Sequence, residues 1–280
     1  MPVTASVMYR GQIDPTVREW NPGEYSWKIL AEGDSWFSFG SWKLQSILTQ
    51  LRLRRDAAVV SLAEPGDTLR HMSQICGNAP LRAMLSTTHG YAWDAILLSG
   101  GGNDVIDNAG AIVKPSPLAQ PRDLPVASYV DEAALQATLA QIRDGYRAIL
   151  RLRDSPGSPA IGVPIITHCY DLATPRNAPA TFLALRQGPW LYPAMLAARI
   201  PASRWNEVSD YILGALGACL RDLENTLPSF HAVATQGALR RAAIGTTGNS
   251  NDWENEIHPN AGGFRKVAGR LGALVDALLP

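Results

Sequence analysis

Short apolar runs alternate with amphipathic segments along most of this chain, and that alternation is the strongest constraint on its fold. Strands joined through helices pair in parallel and are covered on both faces. The pattern therefore predicts a three-layer α/β/α domain with a parallel sheet of about five strands. The predicted strands are Trp27–Ala31, Ala57–Leu62, Trp93–Ser99, Ile161–Tyr170 and Phe230–Thr235, and the predicted helices are Trp42–Arg54, Asp131–Arg153, Trp205–Leu227 and Gly262–Leu279.

Two segments fall outside this alternation. Residues 1–26 contain Pro, Gly and Trp without periodicity, and we interpret them as an N-terminal arm packed on a domain of residues 27–280. Residues 172–204 follow the fourth predicted strand and are unusually apolar for a loop, with Trp190, Leu191 and Tyr192 among them. We interpret this second segment as a cap over one edge of the sheet. A subunit interface, and hence an oligomer formed through the cap, or an extra piece of core would explain the same residues.

Composition excludes several classes of protein. The chain has 280 residues, with 25 basic and 25 acidic side chains, and the zero net charge without a basic run argues against a nucleic-acid partner. No apolar run approaches the ~18 residues of a membrane-spanning helix. The N-terminal residues lack a signal-peptide pattern, which predicts a cytoplasmic location. Three widely spaced cysteines (Cys76, Cys169 and Cys219) indicate small buried residues and neither a disulfide framework nor a zinc site.

Residues able to carry chemistry follow three of the predicted strands. Ser35 lies in a Gly-Asp-Ser-Trp motif after the first strand, Gly66 follows the second, and Asn103 follows the third. Ligands of parallel α/β sheets bind outside the carboxyl ends of the strands, so we expect these residues to meet there. A serine that enters a helix from a strand can expose its hydroxyl and point its own N–H at a developing oxyanion. His258, just before the last helix, is the best candidate base.

These four segments, in this order, resemble the SGNH (GDSL-type) hydrolases, whose letters stand for Ser, Gly, Asn and His. The resemblance extends from about Ile29 to the end of the last helix. It implies a flavodoxin-like fold and an esterase, lipase or carbohydrate deacetylase that needs no cofactor. It also implies that Ser35 is the nucleophile, that His258 is the base, and that Ser35, Gly66 and Asn103 form the oxyanion hole. The substrate would be a small-molecule, lipid or carbohydrate ester.

The acidic member of the triad is where the chain departs from the family pattern. The family usually has Asp three residues before the histidine, and this chain has Asn255 there. We prefer Asp252 as the substitute, since its short side chain on a Gly/Asn-rich loop could fold back beneath His258. Glu254 is the second candidate. A Ser–His dyad with a backbone carbonyl orienting the ring is the third.

Other interpretations of the same residues remain open. An acyltransferase would use the same acyl-enzyme, and a binding protein could keep the fold without the chemistry. Asp34, Asp104, Asp107 and His168 could form a metal site, although no recognised ligand spacing supports it, so we predict no metal. We expect His168, Trp190 and Tyr192 to contact substrate.

Overall fold

The computed structural model describes residues 2–38, 45–74, 78–87, 91–115, 124–182 and 185–280, and a six-stranded parallel sheet forms its centre. The order of the strands across the sheet is β6-β5-β4-β2-β3-β1. Without β1 this is the flavodoxin-like order, so the predicted fold class is confirmed. The strands are β1 Ser6–Tyr9, β2 Trp27–Gly33, β3 Ala57–Ser61, β4 Ala95–Ser99, β5 Ile165–His168 and β6 Phe230–Val233.

Helices cover both faces of the sheet. Helix α2 packs on α10, while α7 packs against α3, α5 and α9. Every residue of β3, β4 and β5 is buried, as expected for strands covered from both sides. The helices are α1 Ser35–Ser38, α2 Ile47–Gln50, α3 Leu69–Met72, α4 Ala79–Met84, α5 Gly102–Asp107, α6 Ala109–Ile112, α7 Glu132–Arg153, α8 Leu191–Ala197, α9 Trp205–Glu224 and α10 Ala261–Leu278.

The N-terminal segment contributes a strand that the sequence pattern did not predict. Strand β1 pairs in parallel with β3, with Ser6 opposite Ala58 and Tyr9 opposite Ser61. Of its four residues only Met8 is fully buried, so the strand lacks the apolar run that marks the others.

The predicted helix Trp42–Arg54 is largely wrong. Within its described part, helix α2 begins after the cap Ser46, whose hydroxyl accepts the Thr49 N–H, and ends at Gln50. Arg52–Leu53 instead pairs antiparallel with Val3–Thr4. Residues 42–44 lie outside the described residues.

The structure also bears on the cysteines and on whether a helix could span a membrane. Cys169 and Cys219 are buried free thiols, as predicted, and Cys76 lies outside the described residues. Among the helices that the structure describes, none is long and apolar enough to cross a membrane.

Gly33 sets how closely β2 and β4 approach each other just before Ser35. It lies opposite Ser99 in the register of the two strands. A Cβ atom at position 33 would lie 2.7 Å from the Ser99 Cβ and 2.8 Å from the Ser99 carbonyl oxygen. Real Cβ atoms do not approach this closely, so only glycine fits at the end of β2.

We therefore expect Gly33→Ala to lower the free energy of unfolding by about 1–3 kcal/mol, the usual cost of overpacking a core. Gly269 is the matched control, since it is exposed in the middle of α10 and a Cβ there would meet nothing within 4 Å. Gly269→Ala should raise stability by about 0.5–1 kcal/mol through helix propensity. Urea unfolding measures the free energy of unfolding of both variants. If Gly33→Ala were as stable as Gly269→Ala, Ser99 would have moved to make room for the added methyl group.

Candidate active site

The side chains of Ser35 and His258 meet across the carboxyl edge of the sheet. Ser35 is the first residue of α1, directly after β2, and His258 lies on the loop that leads into α10. The Ser35 Oγ and His258 Nε2 atoms are 2.8 Å apart. Both residues are buried, at 5% and 4% exposure, so their hydrogen bond is shielded from competing water.

Asn255 fixes which nitrogen of His258 carries the proton. Its Oδ1 atom accepts the backbone N–H groups of Ile257 and His258 at 3.1 and 2.9 Å, which identifies that atom as the amide oxygen. The His258 Nδ1 atom is 3.0 Å from the same oxygen and must therefore donate a proton to it. The unprotonated Nε2 atom then faces the Ser35 hydroxyl, as a general base requires.

Asp252 does not occupy the position that the sequence analysis assigned to it. Its carboxylate pairs with the Lys266 ammonium at 2.5 Å and accepts the Arg240 N–H at 2.5 Å. The cation on α10 and the amide group hold this side chain away from the histidine ring, so the prediction was wrong. Glu254 contacts His258 through its backbone N–H, which donates to the His258 carbonyl at 2.9 Å.

Three groups that could bind an oxyanion lie beside Ser35. The Ser35 N–H is at the first position of a helix, where it has no intrahelical acceptor. Gly66 lies in a turn with φ of +83°, a conformation that favours glycine. The Asn103 Nδ2 atom donates one hydrogen to the Asp67 carbonyl at 2.7 Å, which holds the amide and leaves its second hydrogen for a ligand. Ser35, Gly66, Asn103 and His258 line one cleft with a volume of about 310 Å³.

A buried carboxylate, that of Asp34, holds the residues around Ser35 in place. The Asp34 Oδ1 atom accepts the Trp36 N–H at 3.0 Å and the Ser99 hydroxyl at 2.6 Å, and Oδ2 accepts the Tyr170 hydroxyl at 2.5 Å. Burial raises the pKa of Asp34 to about 6, although these three donors favour its ionised form. The carboxylate thereby holds the residues on either side of Ser35.

His168 belongs to this network and does not contact the cleft, contrary to prediction. It is fully buried and stacks on Trp36, with ring centroids 5.2 Å apart. Its Nδ1 atom accepts the Tyr170 N–H at 3.2 Å, so the proton is on Nε2, which lies 2.9 Å from the Ser99 hydroxyl. His168 and His258 therefore have opposite tautomers.

Of the other two residues predicted to contact substrate, Trp190 lies at the cleft and Tyr192 does not. Trp190 lines the cleft, and its ring meets His258 edge-on with centroids 5.8 Å apart. Tyr192 is not among the residues that line it, and its ring packs against Trp205 at 5.4 Å. Ala180 and Gln187 also bring the segment 172–204 to the cleft.

Glu256 connects this segment to the histidine loop, a contact that the sequence analysis missed. Its carboxylate is fully buried and accepts four backbone N–H groups, those of Arg176, Trp190, Leu191 and Tyr192. Burial raises the pKa of Glu256 and the four donors lower it. An acidic residue two positions before His258 carried no sequence signal for this role, because its partners are backbone groups.

The four side chains considered as metal ligands, those of Asp34, Asp104, Asp107 and His168, do not form a cluster. Asp104 accepts the Leu69 N–H at 2.8 Å, which holds the loop after β3 against α5. Within the ranges that the structure describes, no group of three or more His, Cys, Asp or Glu side chains could hold a metal ion.

No family model matches this chain, and no curated protein matches it. Among solved structures, an extracellular lipase from Streptomyces rimosus is 16% identical, with 89% of this chain and 99% of that chain covered and a TM-score of 0.46. The inhibitor-bound aryl esterase of M. smegmatis is 15% identical over 91% of this chain and 100% of its own, with a TM-score of 0.46. An acetyl-xylooligosaccharide esterase from Geobacillus is 15% identical over 89% and 94%, with a TM-score of 0.40.

Solved structures described as a putative GDSL-like lipase and a putative SGNH hydrolase also match in fold, each 12% identical to this chain. At these identities and TM-scores, the likeness gives no information on substrate. The function must therefore be inferred from the geometry of the side chains.

Burial lowers the pKa of both His168 and His258 to about 3. Both rings should therefore remain neutral at pH 5, and NMR of the ring carbons can show this. Asn255→Asp would place a carboxylate beside His258 Nδ1 and should raise the pKa of His258 by about 1–3 units. His168 is the internal control, since its pKa should not move. An unchanged His258 titration in this variant would contradict the contact with residue 255.

Proposed function

We propose that this protein is a serine hydrolase that cleaves carboxylic esters through an acyl-enzyme. The observation that carries the proposal is the 2.8 Å contact between the Ser35 hydroxyl and the unprotonated Nε2 of His258. A serine hydroxyl is a weak nucleophile until a base takes its proton. Here the base is present, in the required tautomer and in a buried environment.

In the first half of the proposed reaction, the Ser35 Oγ attacks the carbonyl carbon of the ester while His258 Nε2 takes the hydroxyl proton. The charge that develops on the carbonyl oxygen is stabilised by the N–H groups of Ser35 and Gly66 and by the Asn103 amide. The intermediate then collapses, the bond to the alcohol oxygen breaks, and His258 returns the proton to that oxygen. The acyl group stays on Ser35.

In the second half, a water molecule takes the place of the alcohol. His258 removes its proton, the hydroxide oxygen bonds to the acyl carbon, and the ester bond to Ser35 breaks with return of the proton to Oγ. The products are one carboxylic acid and one alcohol, and the enzyme is regenerated. An acceptor alcohol in place of water would give the acyltransferase reaction.

Asn255 occupies the position of the triad acid in this proposal. Its amide oxygen keeps the proton of His258 on Nδ1, which is the orienting part of an aspartate's role. The Asn255 side chain itself contributes no negative charge to the imidazolium that forms during the reaction. The proposed triad is therefore Ser35, His258 and Asn255.

The nucleophile is tested with Ser35→Ala, which should lower kcat for p-nitrophenyl acetate by about 10⁴–10⁶ while the melting temperature is kept. A fluorophosphonate probe should label the wild type and leave this variant unlabelled. Ser38 is a matched control, because it lies on the same short helix and its hydroxyl donates to the Asp34 carbonyl at 2.9 Å. Ser38→Ala should still be labelled. Substantial turnover by a folded Ser35→Ala protein would rule out the serine mechanism.

The triad assignment is tested by comparing Asn255→Ala with Asp252→Asn. Loss of the oxygen that fixes the histidine tautomer should reduce kcat by about 10²–10⁴. Asp252→Asn removes the charge that pairs with Lys266 and keeps an oxygen that can accept the Arg240 N–H, so kcat should stay within about twofold, since pairs of this kind contribute little. Steady-state kinetics on both variants gives the answer, and the reverse ranking would restore Asp252 as the orienting residue.

A further inference from the structure

Two separate spaces meet at Ser35. The cleft described above has a volume of about 310 Å³, whereas a second cavity that Ser35 also lines has a volume of about 30 Å³. Ser35, Asn103 and Ile257 line both of them. An ester bound with its carbonyl at Ser35 would therefore place one half of the molecule in each space.

The position of His258 decides which half lies where. In the proposed reaction, on which this inference rests, His258 must deliver a proton to the departing alcohol oxygen. His258 lines the cleft but is not among the residues that line the small cavity. The alcohol must therefore leave through the cleft, and the acyl chain must occupy the small cavity.

The small cavity limits the length of that chain. Space for one water-sized group takes about 10–15 Å³, so a volume of about 30 Å³ holds two such groups. The methyl group of an acetyl ester or the ethyl group of a propionyl ester fits, and the pentyl chain of a hexanoyl ester does not. Most of the wall is apolar and includes Ile106, Leu213 and Trp253.

The walls of the cavity are held in place by hydrogen bonds and ring contacts. The Leu191 N–H donates to the buried Glu256 carboxylate at 3.0 Å, which fixes the wall that belongs to the segment 172–204. The Trp36 ring is packed between His168 at 5.2 Å and Trp253 at 6.3 Å. A longer acyl chain would have to displace a buried carboxylate contact or an aromatic stack.

We propose that the enzyme is specific for acetyl and propionyl esters whose bulk lies in the alcohol. The cleft provides both polar and aromatic side chains to such an alcohol, from Asp107, Gln187 and Trp190. The apolar residues of the segment 172–204 therefore do not indicate long acyl chains, because Leu191 helps to close the acyl cavity.

The test uses two isomeric esters, hexyl acetate and ethyl hexanoate, which have the same atoms but carry the six-carbon chain on opposite sides of the ester bond. A single methylene that a pocket cannot accept costs about 10–200-fold in kcat/KM. We expect kcat/KM for hexyl acetate to exceed that for ethyl hexanoate by at least about 100-fold. Equal values, or a preference for ethyl hexanoate, would overturn the inference.

Leu213→Ala enlarges the acyl cavity and should reduce this ratio by about 10-fold or more. Leu220→Ala is the matched control, since Leu220 is buried on the same helix α9 but lines neither space, and its ratio should stay within about twofold of the wild type. An unchanged ratio in a folded Leu213→Ala protein would show that the acyl chain does not lie in this cavity. If this variant does not fold, the ratio of kcat/KM for the two esters in the wild-type protein alone tests the inference.

Failure of the proposed function gives a different result. A folded wild-type protein that hydrolyses neither isomer nor p-nitrophenyl acetate, and whose Ser35 no fluorophosphonate labels, would overturn the serine hydrolase itself. Activity on these esters without the expected ratio would overturn only the assignment of the acyl cavity.

Discussion

The buried carboxylate of Asp34 is the interaction on which the geometry of the site depends. Its three donors come from the ends of different strands, because Trp36 follows β2, Ser99 ends β4 and Tyr170 follows β5. A carboxylate with no partners at this depth would be strongly unfavourable. With three donors it fixes adjacent strand ends to one another, and Ser35, the proposed nucleophile, lies between two of the tethered positions.

Asn255 illustrates a choice between orientation and charge. An aspartate there would stabilise a protonated His258, at the cost of a further buried negative charge next to Glu256. The amide avoids that charge and still fixes the tautomer, but its Nδ2 atom is buried without a hydrogen-bond partner among the described residues. An orphaned donor of this kind costs about 1–3 kcal/mol.

The sequence predicted the sheet correctly where the hydrophobic pattern of each segment matched its place in the fold. The order of strands and helices predicted the sheet, and the sheet then brought Ser35, Gly66 and Asn103 to one edge. Strand β1 was missed because one buried and three half-buried residues carry no periodic signal. Asp252 was misassigned because its carboxylate pairs with Lys266 on helix α10. Distance along the sequence could not show that Asp252 would contact this lysine rather than His258. Glu256 was missed because backbone N–H groups have no signature in a sequence.

The contact of Glu256 with the segment 172–204 has a consequence for how such proteins can diversify. The wall of the cavity that we assign to the acyl chain and the loop of His258 are joined by one carboxylate, whose four donors all come from that segment. Recombination that replaced the segment by one with a different backbone path would leave the buried charge of Glu256 without these donors. The two pieces must therefore be inherited together, and new substrate ranges should arise by point substitutions within the segment.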